Sequence, residues 1–255
     1  MDLKSKDTPT GAETGPLAYD PDKCTVILVH GFFRTRRDMA FLHAGLARWG
    51  YRVISVELPI TRGTIDDGIE ALENQLRQEQ LQSKRIIFVA HSMGGLVVRA
   101  FIAHMIKQPA SHHSFAPFDI SHCVFIGTPH QGTSLATLAS HVPGLGRVFK
   151  ALSDLRPQTG GKWSAPLLHQ LEESDIGVDT YIKVGIIAGT SAFILPGRFF
   201  ISEKNDGMIP LTSAIAPDAD AVMLTPFNHV TIHKRNETLK AINCFLTCGH
   251  FPQEI

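Results

Sequence analysis

Short, unbroken runs of apolar, largely β-branched residues recur along the chain, separated by segments with a different pattern. Runs of this kind are typical of parallel strands that are buried on both faces of a sheet. The clearest run occupies 25–29, and largely apolar segments at 52–56, 85–90 and 123–127 are predicted as the next three strands. Two further strands are predicted at 181–187 and 221–224.

Between the runs, apolar residues recur every three to four positions, which is the spacing of amphipathic helices. One helix is predicted to begin at Asp38 as its N-cap and to end at Gly50. Its apolar stripe comprises Met39, Leu42, Leu46 and Trp49. A second helix is predicted to follow the N-cap Thr64, a buried third helix to cover 96–106, and a last helix to end just before Gly249.

This alternation of strands and helices predicts an α/β fold, with a mostly parallel sheet and helices on both of its faces. We expect a polar lead-in over residues 1–22 and one domain over 23–255. The regular pattern fails after Thr128, in a stretch rich in Gly and Pro that is too long for a plain connection. A small, lid-like insertion over a functional site is therefore expected at about 132–179.

Composition narrows the class of protein. The 255 residues contain 24 Lys and Arg and 24 Asp and Glu, which argues against a nucleic-acid binder. No apolar run is long enough for a transmembrane helix, and the N-terminal residues lack the apolar core of a signal peptide. We therefore expect a cytoplasmic protein with reduced thiols.

Cys244 and Cys248 have no second pair nearby, which argues against a zinc site. The sequence predicts neither a metal nor a cofactor.

The strongest chemical motif lies where the third strand meets the third helix. Ser92 is preceded by Ala90 and His91 and followed by Met93, Gly94 and Gly95. Small residues two positions before and after a serine are typical of a nucleophile elbow, in which a tight turn projects the hydroxyl above the sheet. Ala90 stands where such elbows usually have glycine, and it is small enough for the turn.

A serine nucleophile also needs hydrogen-bond donors for the oxyanion that forms when it attacks a carbonyl. One donor is expected to be the backbone amide of Met93, the residue after the nucleophile. The other is expected from the loop after the first strand, where Gly31 allows close approach and the amide of Phe32 is the candidate. His30 in that loop is interpreted as shaping the turn.

Thirteen histidines compete for the role of general base. In hydrolases with a serine at such a turn, the acid and then the histidine follow in the chain, each after a strand. His229, in the loop after the last predicted strand, is therefore the preferred base, with His233 as its rival. His91 adjoins the serine, but a sharp turn points neighbouring side chains apart.

The acid is expected after the strand at 181–187, because its role is to orient the imidazole and to offset its charge. Asp206 meets this expectation, although Asn-Asp-Gly is also ordinary turn chemistry. The alternatives left open are Asp175, Asp179, Asp218 and Asp220.

Taken in order, five segments resemble the α/β-hydrolase superfamily, in particular its bacterial lipase- and esterase-like members. The segments are 29–32, 90–99, 127–133, 205–207 and 228–229. The resemblance implies Ser92 as nucleophile, Asp206 as acid, His229 as base, and the amides of Phe32 and Met93 as oxyanion donors. His130, within the Gly-Thr-Pro-His segment, is then a wall of the site.

The expected substrate is a small-molecule or lipid ester with an apolar acyl group. The residues predicted to bind it are Phe33, His130, Leu135, Leu145 and Phe149. Two alternatives remain open: a thioesterase or acyltransferase that uses the same three residues, or a ligand-binding protein on this fold with little activity. The sequence does not predict an oligomeric state.

Overall fold

The computed structural model describes residues 24–79, 85–107, 119–132, 182–193 and 201–253. In these ranges six strands form one sheet, and every neighbouring pair is parallel. The strands are β1 (Cys24–Val29), β2 (Arg52–Val56), β3 (Arg85–His91), β4 (Asp119–Ile126), β5 (Lys183–Gly189) and β6 (Ala221–Thr225). Their order across the sheet is β2-β1-β3-β4-β5-β6, so the predicted parallel α/β architecture is confirmed.

Helices cover both faces of this sheet. They are α1 (Ala40–Arg48), α2 (Ile65–Gln78), α3 (Met93–Lys107), α4 (Leu211–Ala214) and α5 (Asn236–Cys248). Successive strand residues point to opposite faces, so Phe88 packs in the core beneath α2 and α3 while Val89 packs in the core beneath α1 and α5. The alternation builds two separate hydrophobic layers, one on each side of the sheet.

Local chemistry explains where the helices begin and end. The hydroxyl of Thr64 accepts the backbone N–H of Asp67 while the Asp67 carboxylate accepts the N–H of Thr64, which is a complete capping box for α2. Gly249, with φ of 76°, ends α5 in the left-handed conformation that glycine tolerates. Both boundaries agree with the sequence predictions.

The start of the first helix was predicted wrongly. A short 3-10 helix (Arg36–Met39) precedes α1, so Asp38 lies inside a helical turn and does not cap α1. Its carboxylate pairs instead with His233 and Lys234, far away in the chain. Trp49, predicted on the apolar stripe of this helix, lies just after α1 and is 41% exposed.

Two predicted features lie outside the described residues: the lead-in at 1–22 and nearly all of the insertion at about 132–179. The division into lead-in, domain and insertion therefore stays a prediction. In the described part of the chain, no helix has both the length and the apolar character needed to span a membrane.

Candidate active site

The residues singled out from the sequence meet at one edge of the sheet. In a parallel sheet all strands end on the same side, and ligands bind in the crevice outside those carboxyl ends. Ser92 directly follows β3, Asp206 lies in the segment after β5, and His229 lies in the loop after β6. The fold therefore brings residues from three distant parts of the chain to one place.

Ser92 sits in a strained turn. Its φ of 55° lies in the left-handed region, which costs a non-glycine residue on the order of 1–3 kcal/mol. The backbone N–H of Ser92 donates to the carbonyl oxygen of Ile126, which anchors the turn to the end of β4. The side chain is partly buried, at the N-terminus of α3. A serine with positive φ between a strand and a helix has the geometry expected of a nucleophile elbow.

Two glycines let the neighbouring loop approach this turn. A Cβ atom on Gly31 would lie 2.8 Å from Cβ of Ser92, and one on Gly94 would overlap the backbone carbonyl of His30. Any side chain at either position would push the loop after β1 away from the serine. The close approach is what places the backbone of Phe32 beside the turn.

A continuous chain of hydrogen bonds joins the three side chains. His229 Nε2 lies 2.9 Å from Ser92 Oγ, and His229 Nδ1 lies 2.7 Å from Asp206 Oδ2. Since a carboxylate only accepts, His229 carries a proton on Nδ1 and presents the lone pair of Nε2 to the serine hydroxyl. Asp206 and His229 are both buried.

The carboxylate of Asp206 is fixed by its own loop. Its Oδ1 accepts backbone N–H bonds from Met208 at 3.0 Å and Ile209 at 2.7 Å, which leaves Oδ2 for the imidazole. The Asn205 side chain accepts the N–H of Gly207 and donates to the carbonyl of Glu203, closing the turn. The turn chemistry seen in the sequence thus also aims the carboxylate.

His229 is held in a similar way. Its backbone N–H donates to the carbonyl oxygen of Asp206 at 2.9 Å. Asn228 Oδ1 accepts the backbone N–H groups of Val230 and Thr231, which tightens the turn after the histidine. The supporting roles of Asn205 and Asn228 were not predicted; asparagine beside each of the two residues is the signal that could have pointed to them.

The candidate oxyanion donors flank Ser92. Met93 is the first residue of α3, so the helix's own hydrogen-bond ladder does not use its N–H. Phe32 lies in the loop that Gly31 brings close to the elbow. The next residue, Phe33, has φ of 56°, and its backbone N–H donates to Thr61 Oγ1 at 3.1 Å. Strained backbone therefore occurs on both sides of the site.

The residues that the sequence left as alternatives for the acid and the base have other partners where the structure describes them. Asp218 forms a buried ion pair with Arg99, and Asp220 accepts the backbone N–H of Val184. Asp175 and Asp179 lie outside the described residues. His30 is fully buried; its Nε2 accepts the N–H of Leu58 and its Nδ1 lies 2.9 Å from the carbonyl oxygen of Gly31. His30 therefore shapes the turn, as interpreted.

One group in the described ranges could offer three ligands to a metal ion. It consists of Asp38, His91 and His233, whose ligand atoms lie within 4.8 Å of one another. The Asp38 carboxylate already accepts from His233 Nε2 at 2.8 Å and from the Lys234 ammonium, and Arg34 lies 3.7 Å away. The positive charges of Lys234 and Arg34 beside this carboxylate would repel a divalent metal ion. The group fits a hydrogen-bonded cluster better than a metal site.

Burial governs the protonation of this cluster. It lowers the pKa of His233 to about 4, although the Asp38 carboxylate acts in the opposite direction. Burial, reinforced by the positive charge that His233 would carry if protonated, holds the pKa of His91 well below its usual value. Both rings are therefore neutral in the folded protein near pH 7.

These lowered pKa values predict a loss of stability in mild acid. Between pH 6.5 and 4 the unfolded chain protonates His233 and the folded chain does not, so the free energy of unfolding falls as pH falls. His233 alone contributes a loss of about 2 kcal/mol at pH 5. Urea denaturation from pH 7.5 to 4.5 measures this slope.

Two variants control that measurement. His233→Phe removes one titrating group and should reduce the slope without abolishing it, because the buried His91 and His130 also have lowered pKa values. His43→Gln, at a partly buried histidine on α1 outside the cluster, is the matched control for the loss of one histidine. A slope in His233→Phe equal to that of the wild type would show that His233 does not cause the acid sensitivity.

The residues predicted to bind substrate are placed only in part. Phe33 is 61% exposed on the loop after β1, and its ring packs edge-on against Phe32. His130 is 4% exposed, with its ring against Phe125, and burial together with the charge of Arg99 holds its pKa well below the usual value. Three others, Leu135, Leu145 and Phe149, lie outside the described residues.

Solved structures with the same architecture identify the fold. The mature form of the Bacillus licheniformis lipase BlEst2 is similar with a TM-score of 0.66 and 21% identity, over 89% of this chain and 94% of that one. The metagenomic carboxyl esterase MGS0156 is similar with a TM-score of 0.59 and 17% identity, over 91% of this chain and 71% of that one. A structure from the metagenome-derived lipolytic enzymes LipS and LipT is similar with a TM-score of 0.58 and 14% identity, over 88% of this chain and 93% of that one. The chain has the α/β-hydrolase fold, and the predicted likeness to bacterial lipases and esterases is confirmed.

Within that fold class, residues 6–168 match the family described as Domain of unknown function (DUF7379), and the chain belongs to this family. The matched range includes Ser92 but ends before Asp206 and His229. A comparison with curated proteins gives no match.

Proposed function

We propose that this protein is a serine hydrolase that cleaves carboxylic esters through an acyl-enzyme. The observation that carries the proposal is the chain of contacts from Ser92 Oγ to His229 Nε2 at 2.9 Å and from His229 Nδ1 to Asp206 Oδ2 at 2.7 Å. A serine hydroxyl is a weak nucleophile until an adjacent base takes its proton. His229 is aimed for that task, and Asp206 is aimed to hold it.

In the proposed acylation step, Ser92 Oγ attacks the ester carbonyl carbon while its proton passes to His229 Nε2. The carbonyl oxygen becomes an oxyanion beside the backbone amides of Phe32 and Met93. The bond to the alcohol then breaks, and His229 returns the proton to the departing oxygen. Water repeats these steps on the acyl-enzyme and releases the acid.

The electrostatics of the site favour this charge development. Asp206 offsets the positive charge that His229 acquires during the reaction. The oxyanion forms at the N-terminus of α3, where the helix dipole stabilises negative charge. Each oxyanion donor typically contributes a few kcal/mol to lowering the barrier.

An apolar acyl group is the preferred substrate. Phe33, 61% exposed, follows β1, and Phe193, 85% exposed, follows β5. Both therefore lie beyond the carboxyl ends of the strands, on the side of the sheet where Ser92 lies. Large apolar side chains in that position suit a small-molecule or lipid ester better than a polar substrate. The predicted insertion at about 132–179 is proposed to contribute further to acyl specificity.

Hydrolysis of p-nitrophenyl esters, from acetate to palmitate, tests the proposal, with Ser92→Ala as the background. We expect turnover by the wild type with an optimum above acetate. The same assay with acyl thioesters, and with added acceptor alcohols, separates an esterase from a thioesterase or an acyltransferase. Equal rates for wild type and Ser92→Ala on every ester and thioester would contradict the proposal and favour a ligand-binding role.

A further inference from the structure

A pair of packed histidine rings lies directly behind the proposed base. The ring centroids of His91 and His233 are 4.0 Å apart, with 35° between the ring planes. The centroid of His91 lies 4.9 Å from that of His229. Both His91 and His233 are buried, at 2% and 0% exposed. The mechanism proposed above uses neither ring.

The hydrogen bonds of the two rings define where their protons lie. His91 Nε2 is 3.0 Å from the backbone carbonyl oxygen of His229. His233 Nε2 is 2.8 Å from Asp38 Oδ2. Because both acceptors are oxygens without a proton, each ring carries its hydrogen on Nε2. The Nδ1 atoms of both rings are buried without a hydrogen-bond partner, so each ring makes its hydrogen bond through Nε2 alone.

These contacts tie together the three loops that build the site. His91 is the residue immediately before Ser92, and its donor holds the backbone of His229. Its ring rests on His233, which is anchored to Asp38 in the segment that follows the Phe32 loop. The elbow, the base loop and the oxyanion loop are therefore fixed to one another through the packed rings.

We infer that His91 is a positioning residue: its Nε2–H holds the backbone carbonyl of His229 so that the imidazole stays within reach of Ser92 Oγ. This inference rests on the proposed function, because His229 is a base only if Ser92 is the nucleophile. The backbone N–H of His229 is held on the other side by the carbonyl of Asp206 at 2.9 Å. Losing the His91 bond would leave His229 anchored on one side only.

The size of the expected effect follows from the geometry of proton transfer. A displacement of about 1 Å in a catalytic group can reduce the rate by about 100-fold. A residue that acts only by holding the base should change kcat and leave KM nearly unaltered. We therefore expect a 10- to 100-fold loss of kcat, by order of magnitude, when the donor at position 91 is removed.

Three variants isolate the donor from the bulk of the side chain. Gln places an amide N–H three bonds beyond Cβ, the same reach as Nε2 of histidine, so His91→Gln should retain kcat within about threefold. Asn carries the same amide one carbon shorter and cannot reach the carbonyl, so His91→Asn should show the loss. His91→Phe keeps an aromatic ring against His233 but has no donor, and it should show the loss too.

Steady-state kinetics on the preferred ester, with His43→Gln as the control, provides the first readout. The second is the low-field proton NMR signal of the His229 Nδ1–H bound to Asp206, which needs no substrate. We expect that proton to exchange with solvent faster in His91→Asn and His91→Phe than in the wild type and His91→Gln. Thermal unfolding confirms that each variant compared is folded.

The outcomes separate the two proposals. Wild-type kinetics and an unchanged low-field signal in both His91→Asn and His91→Phe would overturn the positioning role. Equal losses in all three variants, His91→Gln included, would also overturn it, since the donor would then not matter. A wild-type chain without esterase activity would count against the proposed function, and the NMR signal would still decide whether His91 holds His229.

Discussion

Ser92→Ala is expected to lower kcat/KM for ester hydrolysis by at least about 10,000-fold while leaving the fold intact. The substitution removes the one atom that is proposed to form the acyl-enzyme. It leaves the packing around the elbow unchanged, because the hydroxyl is directed at His229 across a 2.9 Å contact. Initial rates on the preferred p-nitrophenyl ester, with thermal unfolding in parallel, measure both effects.

Asp206→Asn should come close to the same loss, by a factor of about 10,000. An amide at this position donates a proton towards His229 Nδ1, which favours the tautomer that cannot accept the proton of the serine. The control is Ser55→Ala, because Ser55 Oγ contacts His43 Nδ1 at 2.9 Å in a serine–histidine pair remote from the site. Full activity in Ser92→Ala or Asp206→Asn, or a loss as large in Ser55→Ala, would contradict the assignment.

Asp218→Ala is expected to destabilise the protein by about 3–5 kcal/mol, which is the usual cost of leaving one charge of a buried ion pair without its partner. Arg99 and Asp218 are joined by two bonds of 2.7 and 2.8 Å, and their side chains are 2% and 3% exposed. Arg99 also lies over the ring of Phe125, at 4.7 Å from its centroid. Urea denaturation at pH 7.5 measures the change in the free energy of unfolding.

The double variant Arg99→Met/Asp218→Leu removes both charges and should be less destabilised than Asp218→Ala. The surface pair Arg52 and Glu79, 3.8 Å apart with side chains 39% and 47% exposed, provides the contrast. Glu79→Ala should change the free energy of unfolding by less than about 1 kcal/mol. A loss in Asp218→Ala no larger than that of Glu79→Ala would show that Arg99 does not carry the cost of an unpaired buried charge.

Features set by local chemistry could be predicted from the sequence. The central strands β1 and β3 are largely apolar runs because the middle of a parallel sheet is buried on both faces, and the cap of α2 is made by residues three positions apart. Ser92 could be picked out as the candidate nucleophile because a tight strand-to-helix turn demands small neighbours. Asp206 and His229 could be picked out as its candidate partners from the order in which acid and base are expected after the later strands.

Features that depend on distant contacts could not be predicted in this way. Asp38 was expected to cap a helix, but its partner His233 is 195 positions away, and only the packing of the two loops brings them together. No role was predicted for His91 beyond its place next to Ser92, since no local pattern shows that its ring reaches the backbone of His229. The ion pair of Asp218 with Arg99, 119 positions apart, likewise replaced a possible role as the acid.

Reaction with a fluorophosphonate, followed by mapping of the modified residue by mass spectrometry, tests the central claim most directly. The reagent captures a serine only where a base activates it and donors stabilise the developing charge. We expect one adduct per chain on Ser92 of the wild type, much slower labelling of His229→Ala and none of Ser92→Ala. No adduct on the folded wild-type protein, or an adduct on a different serine, would contradict the assignment of Ser92 as the nucleophile.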